Sequence, residues 1–207
     1  MKLLHAPTSP FVRKVMAVAI ETGLDDRIEI EFNAASPLQR DPVLTGSNPL
    51  GKIPALVLDD GTVLFDSPVI CEYLAHLAGD TTIFPVPGPA RWTALTLQAL
   101  GDGLLDAAIA NRYETLMRPE DKRWQGWTEA QIAKVQGALD EIEKIAPTLG
   151  SEPTIGTITI GCALGYLDFR YADLGWRDGR PNAAAWFEAF DARPAMAQTR
   201  PRERIAV

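Results

Sequence analysis

The apolar positions of the first eighty residues switch between two periods. Lys2 to His5 is a short strand candidate. After Ser9 the apolar side chains fall at Phe11, Val12, Val15, Met16, Ala19 and Ile20, the spacing of a half-buried helix ending near Gly23, with Arg13 and Lys14 expected to point outward. Ile28 to Phe32 then alternates as IEIEF, which predicts a strand. Ala55 to Leu58 and Thr62 to Phe65 flank Asp59-Asp60-Gly61, where Asp-Gly supplies the positive φ angles of a tight hairpin. A second helical pattern follows at Val69, Ile70, Tyr73, Leu74 and Leu77. The order is β-α-β, then β-β-α, complete by about residue 78.

Both helices open on a Ser-Pro pair, Ser9-Pro10 and Ser67-Pro68. A serine hydroxyl caps free first-turn amides, and proline at the first helical position has no N–H to leave unpaired. Residues 79–89, GDTTIFPVPGP, carry three prolines and two glycines and read as a linker. Everything after them is helical in pattern: Ala90 to Met117, Thr128 to Ile145, Thr154 to Leu174 and Asn182 to Ala192. Gly101 and Gly103 each weaken the first of these by ~1 kcal/mol relative to alanine, so a bend or a close helix crossing is expected there. The predicted organisation is a mixed unit over 1–78, a linker over 79–89 and an all-helical unit over 90–207.

A length of 207 residues allows two domains or one large one. The formal charge of -7, with no basic run, argues against nucleic acid or an anionic membrane as partner, so an anionic ligand needs a local site. Two cysteines, Cys71 and Cys162, both sit in apolar helical patterns, which suits buried bystanders in a reducing compartment and not a disulfide framework. The prolines of MKLLHAPTSPF break any signal-peptide core, and no stretch approaches the ~20 apolar residues of a membrane helix. A soluble, cytoplasmic protein is expected. No metal site, phosphate loop or Ser-His-Asp set is visible, and His5 and His76 read as structural or solvent positions.

TSPF near the start, NPLGKIP at 48–54 and FDSPVICEYLA from Phe65 together resemble the glutathione S-transferases, specifically bacterial members with serine at the catalytic position. The resemblance covers nearly the whole chain. It implies an α/β thioredoxin-like N-terminal domain joined to an all-α C-terminal domain, a homodimer, and glutathione as co-substrate without a metal. By the same resemblance Ser9 is the catalytic residue, with Thr8 the competing hydroxyl. The resemblance also implies that the Ile53–Pro54 bond is cis, which would let the backbone of Ile53 pair with the tripeptide like an added strand. Asp66 and Ser67 hold the γ-glutamyl group, the carboxylate on its ammonium and the helix terminus on its α-carboxylate. Locally, the same two residues serve equally well as a plain helix cap. Lys52 meets the glycyl carboxylate, or is a solvated loop lysine. Phe11, Arg112 and Tyr113 are candidates for the pocket of the electrophile, with Trp124 and Trp127 beyond them.

The chemistry is clear on its own terms. A thiol of pKa ~8.5 is only a few per cent thiolate near neutral pH. Serine is no base here, but its hydroxyl can donate a hydrogen bond to sulfur while a helix N-terminus adds roughly half a unit of positive charge. Lowering the thiol by two pH units requires about 2.7 kcal/mol, within reach of those two effects. The implied function is attack of the glutathione thiolate on small, partly apolar electrophiles. Two rivals are a glutathione-dependent peroxidase or oxidoreductase, which uses cysteine near the Ser9 position, and a non-catalytic binding member of the same fold.

Thr154-Ile155-Gly156-Thr157 departs from the family's pattern by placing threonine where a capping-box aspartate is expected. On that ground Thr157→Asp is expected to raise the melting temperature.

Overall fold

The computed structural model describes residues 1–33 and 35–203. Its sheet is built around β1 (Lys2–His5), whose two leucines point to opposite faces, as successive strand residues must. Leu3 joins the main core beneath α1 (Pro10–Glu21) and α3 (Ser67–Ala78), and Leu4 packs on the other face with Leu44 and Ala55. β2 (Glu29–Phe32) runs parallel to β1, with Lys2 opposite Glu29 and His5 opposite Phe32. On the other side β3 (Ala55–Val57) is antiparallel to β1, and β4 (Val63–Leu64) is antiparallel to β3. The order is β2-β1-β3-β4.

Two local expectations are altered. The alternation of IEIEF does not bury its strand: Ile30 and Phe32 lie exposed on the edge strand, and the residue that enters the core is Ile28, just before it. A short helix, α2 (Pro42–Ser47), covers the Leu4 face and is absent from the periodicity reading because six residues are too few to show a period. Its start is nonetheless written locally: the Asp41 side chain accepts from the amides of Val43 and Leu44 at 2.8 and 3.2 Å, and Pro42 holds the first helical position.

The outward placement of Arg13 and Lys14 is wrong. Both are buried, Lys14 completely. The face of α1 that an isolated β-α-β unit leaves in water is covered here by helices from the second half of the chain. Each charge is matched across that seam. Lys14 Nζ donates to both carboxylate oxygens of Asp102 at 2.6 and 2.8 Å, and Arg13 Nη2 donates to Asp191 at 2.6 Å and to the Met196 carbonyl at 3.0 Å. Burial pushes the Asp102 carboxyl above the usual carboxylate range, with Lys14 pulling the other way.

Among the described residues five α-helices follow: α4 (Pro89–Leu116), α5 (Gln125–Ile145), α6 (Ile155–Arg170), α7 (Pro181–Asp191) and α8 (Pro194–Gln198). α5 starts three residues before Thr128, α6 ends at Arg170 with a separate turn over Ala172–Leu174, and α8 was not expected from the pattern. Ile155 to Leu167 are all buried, which makes α6 the central rod of the helical part. Gly101 does mark a close crossing: a Cβ there would stand 2.8 Å from Thr159 Cγ2 on α6. Cys71 and Cys162 are fully buried, and burial drives their thiols up to about 12 and about 11. Among the described residues no helix is long and apolar enough to cross a membrane.

The start of α6 is not a weakened capping box. Thr154 Oγ1 accepts from the Thr157 amide at 3.2 Å, but the Thr157 hydroxyl donates to the Glu152 carbonyl at 2.7 Å, and the Thr154 amide already donates to that same carbonyl. A carboxylate at 157 has no proton to offer and faces two carbonyl oxygens in a buried position. Thr157→Asp is therefore expected to destabilise by ~1–3 kcal/mol, the cost of an unmet buried acceptor, and to lower the melting temperature in a thermal scan. That reverses the direction the motif alone suggests.

Candidate functional site

A parallel pair of strands ends in a loop at its carboxyl edge, where α/β sheets open a crevice. Here the loop after β1 forms one wall of a cleft of about 530 Å³. Thr8, Ser9, Phe11, Lys52 and Ile53 line it from the sheet side, and Arg112 and Tyr113 of α4 line it from the other. Seven of the sequence-predicted residues are thus gathered from three separate segments, without Pro54, Asp66 and Ser67. Ser9 also borders a smaller cleft of about 340 Å³ between α1, β2 and the C-terminal segment, where Arg13, Arg200 and Arg202 are found. His5 lines that smaller space, and burial together with Arg202 holds it below the usual histidine range. His76 is exposed.

Ser9 is the N-cap of α1, with extended backbone at φ -83° and ψ 121° and Pro10 in the first helical position. Its Oγ accepts from the Val12 amide at 3.3 Å. Among the described residues that hydroxyl donates to nothing, so its proton is free at the positive end of a twelve-residue helix.

Asp66 and Ser67, at the start of α3, do not line the cleft. Asp66 is exposed, Ser67 is buried, and the plain capping role is not taken up: Asp66 is the N-cap residue but its side chain makes no capping bond. Its charge nonetheless helps to push up the carboxyl of Asp106, a lining residue. Burial is the main cause of that upward shift, and the exposed Lys52 opposes it. Pro54 is buried behind Ile53, and the peptide bonds Ile53–Pro54 and Phe65–Asp66 are cis.

The far wall was only half legible beforehand. Asp106, Ile109 and Tyr113 share one ridge of α4 at helical spacing, which could have been extended from Tyr113 backward. Tyr166 on α6, Arg170 and Glu203 complete it, and Arg170 pairs with Glu203. The Arg202 amide donates to the Pro7 carbonyl at 3.3 Å, tying the C-terminal segment to the Ser9 loop. Tyr166 lies in a helix whose pattern reads as core throughout, so only its polar tip hinted at the cleft. Burial raises the phenols of Tyr113 and Tyr166, the latter to about 12, so both are protonated donors at neutral pH. Trp124 and Trp127 do not belong to the site: both are exposed near the start of α5, where the Trp124 amide donates to Glu114 Oε1 at 2.8 Å.

The chain is similar to proteins of one known family. The family model for the glutathione S-transferase N-terminal domain matches residues 8–77, and that for the glutathione S-transferase C-terminal domain matches residues 125–189. The uncharacterized GST-like protein YibF of Escherichia coli K12 is 34% identical over 204 residues, 97% of this chain and 98% of that protein. A glutathione transferase family member from Pseudomonas fluorescens Pf-5, solved with bound glutathione, superposes with a TM-score of 0.95 at 45% identity, covering 98% of this chain and 99% of that one. A second structure from that organism holds S-(propanoic acid)-glutathione and superposes at 0.90 with 44% identity, covering 98% of this chain and 100% of that one.

Proposed function

The chain belongs to the glutathione S-transferase family, and on that premise we propose that it is a glutathione transferase whose Ser9 hydroxyl stabilises the thiolate of glutathione. The observation that carries this reading is the undonated Ser9 proton at the wall of the cleft. A sulfur anion placed there accepts that proton's hydrogen bond and sits at the amino end of α1, where both effects favour the charged form. The thiolate then attacks a small, partly apolar electrophile held against Phe11, Arg112 and Tyr113. In the second Pseudomonas structure the bound glutathione carries its substituent on sulfur, the kind of product such an attack leaves.

The remaining roles follow the ligand outward from the sulfur. Ile53 pairs through its backbone, with Pro54 behind it, and Lys52 meets the glycyl carboxylate. Asp66 takes the γ-glutamyl ammonium and Ser67 the α-carboxylate, and neither side chain has a competing partner among the described residues. Asp66→Ala is expected to weaken glutathione binding about tenfold or more, the loss of one charge-assisted contact, as read by titration calorimetry. Unchanged affinity overturns the Asp66 assignment.

Cysteine-based peroxidase or oxidoreductase chemistry is disfavoured because neither cysteine reaches the cleft and burial keeps both thiols protonated. A non-catalytic binding role predicts glutathione binding without turnover of any electrophile. A homodimer and a cytoplasmic location complete the proposal, together with a detoxifying role. Val69 and Leu77 on α3 and Trp92 on α4 are large exposed apolar residues of the sort an interface covers, and the two buried free thiols suit a reducing compartment.

A further inference from the structure

Among the described residues three basic ones line the main cleft, Lys52, Arg112 and Arg170, against two acidic ones, Asp106 and Glu203. Arg170 is taken by Glu203, and the ammonium of Lys52 acts on Asp106. Arg112 acts on Glu203 only through its charge. It is half-buried on α4 and makes no hydrogen bond or ion pair among the described residues. A second donor lines the same cleft. Tyr166, on the neighbouring α6, is 4% exposed, yet it lines the cleft, and its hydroxyl has no partner among the described residues. The two are near enough for the Arg112 charge to act on the Tyr166 phenol. By contrast, the Tyr171 hydroxyl is used, donating to the Ala108 carbonyl at 2.6 Å and accepting from Asn111 at 3.1 Å.

A phenol on a nearly buried residue that opens only onto the cleft offers its proton to a ligand there, and a planar guanidinium on the same cleft matches a carboxylate in both charge and shape. Phe11, Ile109 and Tyr113 add apolar surface to the same cleft. We propose that the electrophile accepted by this site carries a carboxylate, bound by Arg112 and the Tyr166 hydroxyl while its reactive carbon faces Ser9. The proposal rests on the transferase reading and names the substrate class of that same site.

The test compares 4-(bromomethyl)benzoate with 4-(bromomethyl)benzamide, which share shape and leaving group and differ in charge. In each, the sulfur forms a bond to the benzylic carbon as the carbon–bromine bond breaks, bromide leaves with the electron pair, and the thiol proton passes to solvent. The wild-type enzyme is expected to prefer the benzoate in kcat/KM by about ten- to a hundredfold, the range of a charge-assisted contact. Arg112→Met is expected to bring that ratio close to one, Arg112→Lys to restore part of it, and Tyr166→Phe to reduce it. Equal use of the two electrophiles by the wild type overturns the carboxylate proposal and leaves the transferase reading standing. Turnover of neither, despite glutathione binding, overturns both. A preference that survives Arg112→Met, or an Arg112→Met variant whose main change is a raised KM for glutathione with either electrophile, assigns Arg112 elsewhere and also overturns it.

Discussion

Ser9→Ala is expected to fold and to lose about one to two orders of magnitude in kcat/KM near neutral pH. Loss of the cap bond to the Val12 amide costs about 0.5–2 kcal/mol, a small part of the stability of a chain this size. The catalytic loss comes from a different source. If the hydroxyl and the helix terminus together lower the thiol by about two pH units, removing the hydroxyl returns a large part of that shift and shrinks the thiolate fraction in proportion. The sign with pH is fixed by the same argument. Below both pKa values the variant lags by the full ratio, and as pH rises past ~8.5 the thiol ionises unaided and the gap closes. A pH profile of kcat/KM for both proteins checks this. Thr8 lines the same cleft and offers the competing hydroxyl, so Thr8→Ala is the control. Full activity in Ser9→Ala with an inactive Thr8→Ala assigns the role to Thr8.

The second large effect is on stability. Asp102→Ala leaves the Lys14 ammonium, fully buried beneath α4, without its only ion-pair partner among the described residues. Breaking a buried pair from one side costs about 3–5 kcal/mol, and because the Asp102 side chain keeps some contact with solvent the lower figure, about 3 kcal/mol, is the better expectation. For a chain of this length that is a fall of roughly 6–12 °C in melting temperature by calorimetry or circular dichroism. Folding raises the Asp102 carboxyl, so its ionisation by itself opposes the folded state as pH climbs through the carboxylate range; the pair matters because it keeps Lys14 from being stranded. Lys14→Met combined with Asp102→Leu is accordingly expected to recover most of the loss, since apolar residues of similar volume need no solvation. An Asp102→Ala variant as stable as wild type contradicts the buried-pair account.

Those two residues also show what was legible in the sequence. Ser9 was found because a cap, a proline and an apolar period are local signals, all contained in residues 9–20. Lys14 was misplaced because what covers it arrives from Asp102, far along the chain, and a helix buried on both sides has no outward face for its charges to take. Ile30 and Phe32 erred in the opposite sense: strict alternation predicts a buried face, but β2 is an edge strand whose apolar side opens onto the two clefts. Tyr166 was hidden among thirteen consecutive buried positions of α6, where only the tertiary arrangement turns one hydroxyl toward open space. Glu203 lies in a C-terminal segment with no period, brought to the cleft by the bond from Arg202 to Pro7. Thr157 teaches the complementary lesson. The motif located the helix start correctly, but the partner of its hydroxyl, Glu152, lies outside the motif and decides the sign of the substitution.

Catalysis by this site requires the environment of Ser9 to lower the pKa of a bound thiol. Titrating the ultraviolet absorbance of the thiolate in the glutathione complex measures it directly. The predicted result is a bound thiol about two units below the free value of ~8.5, moving back toward it in Ser9→Ala. A thiol that titrates at its free value when bound to the wild-type protein contradicts the central claim.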